Sequence, residues 1–321
     1  MLDYIDKKII YELGKNSRQS YEKIARNIHS KKGIISYRIN QLIENKIITK
    51  FVPVFALSKI GIISSKIYLK LQGLSTESEK TLQKFLISHK KIAWVAKSVG
   101  SWDLLLGFYT KTLNEFAQVK DEILEKFSNY ISEYDISHIE NGLVFNRDYL
   151  IDTPVLYRKE LLYAGRVENI KLDSKDRHII QEMKNNSRFH ILNISKRLDL
   201  DPRTIINRIK NLKERDILQG YTVFLDLNKI NHQLHKLCIY LKNYNKKQIA
   251  SLISFLKLNP NTIHLVKAIG SWDFEVEAEY DNLTDVYKYI SNLKNKFPKI
   301  IKQIDLVTVT DELKLDFFPE G

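Results

Sequence analysis

Two sets of polar side chains, 170 residues apart, have the chemistry to contact a nucleic acid duplex. Each set lies on the predicted outer face of a helix: the first comprises Lys32, Ser36, Tyr37, Arg38 and Gln41, and the second comprises Arg203, Thr204, Asn207, Arg208 and Lys210. Arginine can form paired hydrogen bonds with guanine and asparagine with adenine, and lysine neutralises phosphates. The same faces could instead be solvated or contact protein. The arginines at positions 38 and 208 could equally clamp phosphates or brace the fold through a carboxylate.

The offset of 170 recurs along the whole chain of 321 residues. The tripeptide Asn-Ser-Arg occurs at 16–18 and 186–188, and the tetrapeptide Gly-Ser-Trp-Asp occurs at 100–103 and 270–273. A period this long that occurs only twice indicates a duplicated protein rather than a solenoid. Each copy must therefore be a complete unit that can bury its own core.

Positive charge is concentrated in the first part of each copy. Residues 1–61 hold 12 Lys and Arg against 5 Asp and Glu, a net +7, and residues 172–230 hold 12 against 8, a net +4. Residues 62–145 are neutral, with 10 against 10, and residues 231–313 carry +2, with 11 against 9. A generally basic proteome would raise the net positive charge of all four regions equally. Basic heads followed by nearly neutral bodies therefore favour a polyanionic partner.

The composition is that of an ordinary globular protein. Apolar residues make up 44% of the chain, but no apolar run approaches the roughly 20 residues that span a bilayer. The first residues do not have the pattern of a signal peptide. The single cysteine, Cys238, excludes an intrachain disulfide and a multi-cysteine metal site. We therefore expect a cytoplasmic protein without a metal or other cofactor, in which Cys238 is a small buried strand residue.

Each head has the pattern of three helices followed by a strand. In the first copy, apolar residues recur at helical spacing over 3–15, in a short segment after Ser20, and over 32–45. In the second copy, Asp201 can cap the third helix and Pro202 suits its first position. Three helices with a short turn between the second and third, followed by a β-wing, are typical of a winged helix-turn-helix.

Each body has the order β-α-β-β-α-β, which is typical of a ferredoxin-like fold, with the Gly-Ser-Trp-Asp turn between the two central strands. The predicted class is therefore α+β, with two winged helix-turn-helix domains that are each followed by a ferredoxin-like domain. The predicted boundaries are head 1 at 1–61, body 1 at 62–145, a linker at 146–171, head 2 at 172–230, body 2 at 231–313 and a tail at 314–321. The linker contains Pro154 and Gly165, and its extended length of about 85–94 Å would hardly restrict the position of head 2.

The second copy carries a specific series of residues: Leu172-Asp173, Asp176, Ile179-Ile180, Leu200 to Ile205 (Leu-Asp-Pro-Arg-Thr-Ile), Arg208-Ile209, Leu212, Ile217, Gly220-Tyr221 and the turn at 270–273. In their order and spacing, both copies resemble the leucine-responsive/asparagine regulator (Lrp/AsnC) family of transcription factors. The first copy departs where its third helix begins, because Lys31, Lys32 and Gly33 replace Asp201, Pro202 and Arg203. Glycine lowers helical propensity by ~1 kcal/mol relative to alanine, so the two heads need not be equivalent.

The resemblance implies double-stranded DNA as the partner and bodies that pair through their sheets. In one chain this pair would be an intrachain pseudo-dimer, and further homo-oligomers stay open. The resemblance also implies a small effector, such as an amino acid, near the glycine turns, which makes effector candidates of Gly100, Asp103, Gly270 and Asp273. The alternative is structural, because glycine permits a tight hairpin and aspartate can bond the backbone of the turn. The lack of arginine in both bodies removes the best partner for an effector carboxylate.

The strand after the second glycine turn carries Glu275, Glu277 and Glu279, which alternation places on one face. If that face meets the partner body, it suits an ammonium group or a lysine of that body. We expect the other outcome, a solvated stripe. The matching flank of body 1 is the apolar segment 104–107, so the two turns should differ in function and at most one effector should bind tightly per chain.

Two other functions stay open at this stage. Siroheme decarboxylases resemble the same family and hold a tetrapyrrole with many carboxylates through histidine and arginine. The eight histidines here are scattered, and the bodies have no arginine. A protein-binding adaptor with degenerate heads is the third class.

Overall fold

The computed structural model describes residues 2–151 and 157–319, so Pro154 of the predicted linker lies outside the described residues. In chain order the elements are α1 (Tyr4–Lys15), α2 (Tyr21–Asn27), α3 (Lys32–Glu44), β1 (Ile48–Phe55), β2 (Ile63–Leu71), α4 (Thr76–Ser88), β3 (Ile92–Gly100), β4 (Leu104–Thr110), α5 (Leu113–Phe127), β5 (Ile131–Val144), β6 (Leu161–Ala164), α6 (Ser174–Met183), α7 (Ile191–Leu198), α8 (Pro202–Glu214), β7 (Leu218–Leu225), β8 (Gln233–Leu241), α9 (Lys246–Leu258), β9 (Thr262–Gly270), β10 (Phe274–Tyr280), α10 (Leu283–Lys296) and β11 (Ile301–Leu315). In the described ranges, no helix is both long and apolar enough to cross a bilayer.

The helices of both heads begin where the sequence predicts them. Asp3 and Asp173 cap α1 and α6, and each carboxylate accepts a hydrogen bond from the backbone N–H three residues later. Asp201 caps α8 and Pro202 occupies its first turn, as predicted. Lys31 provides no side-chain cap for α3. The third helices of the two heads, α3 and α8, which the helix-turn-helix pattern predicts to be recognition helices, therefore differ at their N-termini.

The strands of the two heads pair with each other instead of forming separate hairpins. β1 and β7 form a two-stranded antiparallel sheet in which Phe51 lies opposite Val223. The hydrophobic core of head 1 includes Val223 and Leu225 of the second copy, while Phe55 of the first copy belongs to the core of head 2. Each head thus completes its core with the strand of the other copy, which makes the two heads one packed unit.

The bodies have the predicted β-α-β-β-α-β order, and together they form a closed barrel. The antiparallel pairings run β2-β4-β3-β11-β8-β10-β9-β5 and return from β5 to β2. The long strands β5 and β11 each pair with both bodies. The helices α4, α5, α9 and α10 cover the outside, where two separate cores form. A closed barrel has no free sheet edges, so the bodies are joined over their full strand length.

The expectation that the linker hardly restricts head 2 is wrong for its described residues. β6 pairs with β5, and Arg147 and Arg158 are both buried. Arg158 forms an ion pair with Asp148 and donates to the backbone carbonyl of Asn259 at 2.6 Å. A buried guanidinium needs such partners because burial without them is costly. The linker is therefore packed against the barrel on both sides of residues 152–156.

Candidate nucleic-acid interface

The outer face of α3 presents the first predicted set of side chains. Lys32 and Tyr37 are exposed, with Tyr37 at 66%, while Ser36, Arg38 and Gln41 are half-buried. Ile35, Ile39 and Leu42 face the core, as their spacing predicts. Lys32 forms an ion pair with Glu22 of α2, and both side chains are exposed. Such an exposed pair is worth little in water, so Lys32 remains available to an anionic partner.

The outer face of α8 is more polar and more basic. Arg203, Asn207 and Lys210 are exposed, and Thr204 is half-buried. Lys210 lies 3.5 Å from Glu214, which is also exposed. Within the described ranges, no ion pair engages the guanidinium of Arg203. Arg203 and Asn207 thus combine the side-chain types that read guanine and adenine with free access to solvent.

Arg38 and Arg208 have a different environment from the rest of each set. The Arg208 guanidinium lies 2.8 Å from Asp173 and 2.6 Å from Asp176, and Arg38 contacts the equivalent Asp3 and Asp6 at 2.5 and 2.9 Å. The hydrogen bonds that the guanidinium groups donate to these carboxylates raise the pKa of both arginines. Of the alternatives that the sequence left open, this geometry favours the brace: each arginine ties its recognition helix to the first helix of the head. Their predicted role in DNA contact stays a prediction.

The two repeated Asn-Ser-Arg turns form the contact between the heads, a role that sequence reasoning did not assign. The hydroxyl oxygens of Ser17 and Ser187 lie 2.6 Å apart. Arg18 donates to the backbone carbonyl of Ser187, and Arg188 donates to that of Ser17 at 2.6 Å. Arg18 also lies over the ring of Phe189, 4.0 Å from its centroid. The contacts are reciprocal, so the two recognition helices are related by a pseudo-two-fold axis.

The barrel interior contains a buried network of charges between the two bodies. Lys66 of body 1 lies 2.6 Å from Glu275 of body 2, and Lys236 lies 2.8 Å from Glu277. Glu275 also accepts hydrogen bonds from Ser137 at 2.8 Å and from the Trp272 indole at 3.0 Å, and every one of these groups is buried. The expectation of a solvated glutamate stripe is therefore wrong, and the alternative that we considered, a lysine of the partner body, is observed.

These contacts shift the ionisation of the network in a consistent direction. Burial alone would raise the pKa of Glu275, but Lys236 and Lys66 lower it to about 2. Burial alone would lower the pKa of Lys66, but Glu275 and Glu277 raise it above its usual range. Burial raises the pKa of the Cys238 thiol well above its usual value. Lys66 and Glu275 are thus held ionised, and Cys238 is a buried, unreactive strand residue, as expected.

The third glutamate of the stripe, Glu279, fixes the linker to both copies. Arg147 donates two hydrogen bonds to its carboxylate, at 2.8 and 2.9 Å, and Tyr149 donates a third at 2.6 Å. Arg147 also donates to the backbone carbonyl of Val223 in β7, at 2.9 Å. One buried arginine thus connects the linker, body 2 and the strand pair of the heads.

The glycine turns have structural roles in this fold. A Cβ at Gly270 would lie 2.2 Å from the backbone oxygen of Ile136, and one at Gly100 would lie 2.5 Å from that of Leu306. Both contacts cross from one body to the other. Asp103 accepts a hydrogen bond from the backbone of Leu71 and Asp273 from that of Leu241, each at 2.8 Å. This geometry supports the structural alternative, while an effector at these turns stays a prediction.

A large cavity lies between the β1–β7 pair and the mouth of the barrel. Its volume is about 580 Å³, within the usual range of ligand sites, roughly 300–1,000 Å³. The lining includes Thr49, Lys50, Val52 to Phe55 and Thr222 to Asn228 from the heads, with Trp94, Tyr163 and Glu312 from the bodies and linker. No sequence pattern indicated it, because its walls come from segments far apart in the chain.

Comparisons with known proteins agree with the duplication. A family model described as winged helix-turn-helix DNA-binding matches residues 2–49 and 172–219. An HTH-type transcriptional regulator of Pyrococcus horikoshii is 26% identical over 151 residues, covering 44% of this chain and 97% of the relative. The transcriptional regulator AzlB of Bacillus subtilis is 25% identical over 132 residues, covering 41% of this chain and 84% of the relative. Each of these alignments thus spans less than half of the chain and nearly all of the relative.

A solved structure matches both copies together. The siroheme decarboxylase NirDL covers 98% of this chain and 93% of its own, with a TM-score of 0.62 and 12% identity. In complex with an iron-uroporphyrin III analogue it gives a TM-score of 0.61. At this identity the match concerns the fold alone, and it shows that the whole two-copy arrangement occurs in another protein. The two head matches and the regulator relatives agree with a tandem duplication and with the resemblance of each copy to Lrp/AsnC-type regulators.

Proposed function

We propose that this chain is a sequence-specific transcription regulator that binds double-stranded DNA as a covalent pseudo-dimer. The observation that carries the proposal is the reciprocal contact between the Ser17 and Ser187 turns, which fixes two recognition helices about one axis. Paired helices of this kind address two half-sites about one helical turn, or multiples of it, apart. The named regulators among the relatives support DNA-binding regulation as the general role.

The buried charges support pairing within one chain rather than between chains. The intrachain barrel buries Lys66 and Lys236 with Glu275 and Glu277, two of each sign. The positions of body 1 that correspond to the glutamates are Leu105 and Gly107. Two copies of body 2 would bury four carboxylates with two lysines, and two copies of body 1 would bury two lysines with none. Buried unpaired charge costs several kcal/mol, so like-with-like pairing is disfavoured.

The proposal predicts an operator with two unlike half-sites, because the exposed faces of α3 and α8 differ. Selection of binding sites from random DNA with the purified full chain would identify it, and footprinting would show its extent. Protection of one half-site only, by a protein with both heads intact, would contradict the pseudo-dimer.

Single substitutions on α8 test whether its exposed side chains contact bases or phosphates. Arg203→Ala and Asn207→Ala should each lower the affinity by about 1–3 kcal/mol if the side chains contact bases, with relaxed specificity in one half-site. A phosphate contact would instead weaken all sequences alike and lower the salt slope by about one. Lys80→Ala, which removes an exposed lysine from α4, is the matched control. Unchanged affinity in both α8 variants would show that α8 is not the reading helix.

An amino acid effector at the glycine turns is a second part of the proposal. A depression of about 330 Å³ beside the first turn is lined by Asp103, Lys97 and Leu71 among others. We propose at most one tight effector site per chain, since the flanks of the two turns differ. Calorimetry with the twenty amino acids tests this number, and two equal tight sites would contradict it.

The full-length fold match to NirDL and the cavity favour one other candidate, a siroheme decarboxylase-like enzyme. The charges of the cavity argue against it. The guanidinium of Arg147, in the cavity lining, is engaged by Glu279, and a substrate with many carboxylates requires free cations. Titration of the full chain with uroporphyrin III, followed by its absorbance, distinguishes the two functions. A tight stoichiometric spectral change would favour the enzyme.

A further inference from the structure

The cavity between the β1–β7 pair and the barrel has a distinctive charge arrangement, because most of its cations already have partners. Lys66 is held by Glu275 and Glu277, and Arg147 is held by Glu279. Lys314 lies 3.7 Å from Asp316 and donates to the backbone carbonyl of His89 at 2.9 Å. Lys50 lies 5.8 Å from the centroid of the Phe317 ring. Of the lysines and arginine that line the cavity, Lys50 alone lacks an ion pair within the described part of the chain.

Three carboxylates in the lining are not neutralised. Asp226 accepts a hydrogen bond from the backbone N–H of Asn228 at 3.1 Å, and Glu312 accepts one from the Trp94 indole at 3.1 Å. Neither of them, nor Asp311, forms an ion pair with any described residue. Burial raises the pKa of Glu312 and the nearby Glu277 raises it further, while the hydrogen bond from Trp94 and the charges of His264 and Lys50 lower it. The uncompensated charge of the lining is thus three carboxylates against one lysine.

The remaining lining supplies aromatic surface and an unsatisfied hydroxyl. The rings of Phe224 and Phe317 pack edge to face with centroids 5.0 Å apart, and Trp94 and Tyr163 also line the cavity. Aromatic faces attract cations as well as apolar groups. The Ser64 side chain, 4% exposed, lines the same cavity, and its hydroxyl has no hydrogen-bond partner among the described residues. Unsatisfied buried hydroxyl groups are uncommon in native proteins, so this one indicates a missing polar partner.

We propose that this cavity is a binding site for an aromatic amine, a ligand with a flat ring and a positively charged nitrogen. The ammonium group pairs with the carboxylate of Glu312, and Asp226 and Asp311 add to the attraction. The ring lies among the aromatic side chains, beside Trp94. The site is distinct from the glycine turns, and its occupancy does not depend on the proposed DNA-binding function. Because one wall is the β1–β7 pair, the ligand contacts the strands that complete both head cores.

The test compares two probes that share a ring and differ in charge. Tryptamine and indole-3-acetate are titrated into the purified full chain by calorimetry. Tryptamine should bind at one site per chain, and indole-3-acetate should bind at least about tenfold more weakly, a difference of roughly 1.4 kcal/mol. Glu312→Gln keeps the shape of the side chain and should weaken tryptamine binding by about tenfold or more. Glu133→Gln, on the exposed side of β5, is the matched control and should bind like the parent.

Three calorimetric results would overturn the proposal. They are the absence of tryptamine binding, equal or tighter binding of indole-3-acetate, and unchanged tryptamine affinity in a folded Glu312→Gln variant. Tight binding of uroporphyrin III in the cavity would also overturn it, because a polyanion would then occupy the acidic wall. Since Glu312 is exposed to the cavity and forms no ion pair with a described residue, Glu312→Gln should fold normally, which thermal unfolding would verify.

Discussion

Body 1 and body 2 share one fold, yet their equivalent strands β4 and β10 differ sharply where they face the barrel interior. β4 presents Leu105 and Gly107, and β10 presents Glu275 and Glu277, all buried or facing the interior. The lysines that pair with the glutamates, Lys66 and Lys236, are equivalent residues of the two bodies. A symmetric dimer would repeat every charge, whereas one chain can place both carboxylates on one side. The difference shows how a duplicated chain specifies its own internal pairing.

The heads show a smaller difference of the same kind. Both recognition helices have an arginine brace, at Arg38 and Arg208, and both heads meet through identical turns. They differ where these helices begin: α8 has a carboxylate cap and a proline, and α3 has neither. The shared parts hold the two heads together, and the divergent parts lie on the surface proposed to contact DNA.

Removing one carboxylate of the barrel network should have the largest effect. Glu275→Leu introduces the residue found at the equivalent position of body 1 and leaves two buried lysines with one glutamate. The free energy of unfolding should fall by about 3–5 kcal/mol, as is usual when one partner of a buried ion pair is lost. Chemical denaturation measures this change, with Glu133→Leu on an exposed strand face as the control.

A double substitution sharpens that comparison. Glu275→Leu combined with Lys66→Met restores one lysine to one glutamate and should recover part of the lost stability. If the double variant is less stable than Glu275→Leu alone, charge balance is not what holds the two bodies together.

Substitution at the glycine turns should have the next largest effect, and it should be larger at Gly100, whose φ of +114° disfavours any side chain. Gly270→Ala places a Cβ against the backbone of Ile136, and Gly100→Ala places one against the backbone of Leu306. Overpacking of this kind costs about 1–3 kcal/mol, which thermal unfolding would detect. An effect in one turn only would show that the cross-body contacts of the two turns are not equivalent.

The free energy of unfolding should depend on pH through two histidines, His235 and His138, and more strongly through His235. His235 pairs with Thr308 at 3.0 Å, and the equivalent positions carry Ser65 and His138, which lie 2.8 Å apart. Burial lowers the pKa of His235 to about 4 and lowers that of His138. An unfolded histidine takes up its proton near pH 6.5, so stability is lost as the pH falls from there towards 4. The loss between pH 6.5 and 4.5 is about 2 kcal/mol for His235.

The variant His235→Gln isolates this contribution. In the window from pH 6.5 to 4.5 it should flatten the dependence of unfolding free energy on pH, and His138→Gln should flatten it less. Glu275 contributes below this window, because its pKa of about 2 lies under the ordinary value of 4.5. An unchanged slope in His235→Gln would refute the assignment to His235.

Local sequence signals predicted local structure well in this chain. The caps Asp3 and Asp201, the stripe Ile35-Ile39-Leu42 and the β-α-β-β-α-β order are all present. Each of these depends on residues within a few turns or one strand of each other. The repeat offset also placed the two copies correctly in register, because duplication preserves spacing even where residues diverge.

Features that depend on contacts between the copies were not predictable in the same way. Alternation placed Glu275, Glu277 and Glu279 on one face, but it could not say whether that face meets water or Lys66. The exchange of β1 and β7 joins strands whose partners lie 170 residues away, and no local pattern encodes such a partner. The sequence left three roles open for Arg38 and Arg208, namely base contact, phosphate contact and a brace to a carboxylate, because all three place the arginine at the same helical spacing.

The smallest predicted effect tests the difference between the recognition helices. Gly33 lies in the first turn of α3, and a Cβ built there meets no described heavy atom within 4 Å. Gly33→Ala should therefore stabilise the helix by about 0.5–1 kcal/mol, because alanine loses less conformational entropy than glycine. Gly14→Ala in α1 is the contrasting variant: its Cβ would lie 2.0 Å from the Asn146 side-chain oxygen, so no gain is expected. Global unfolding would hardly detect so small a change, so hydrogen exchange of the first hydrogen-bonded amides of α3, from Ile35 onwards, is the better measure. Slower exchange in Gly33→Ala, with exchange in α8 unchanged, would show that the N-terminal turn of α3 in the parent is less stable than that of α8, which Asp201 caps. Equal exchange in parent and variant would mean that the missing cap has no consequence and that the two heads are equivalent in stability.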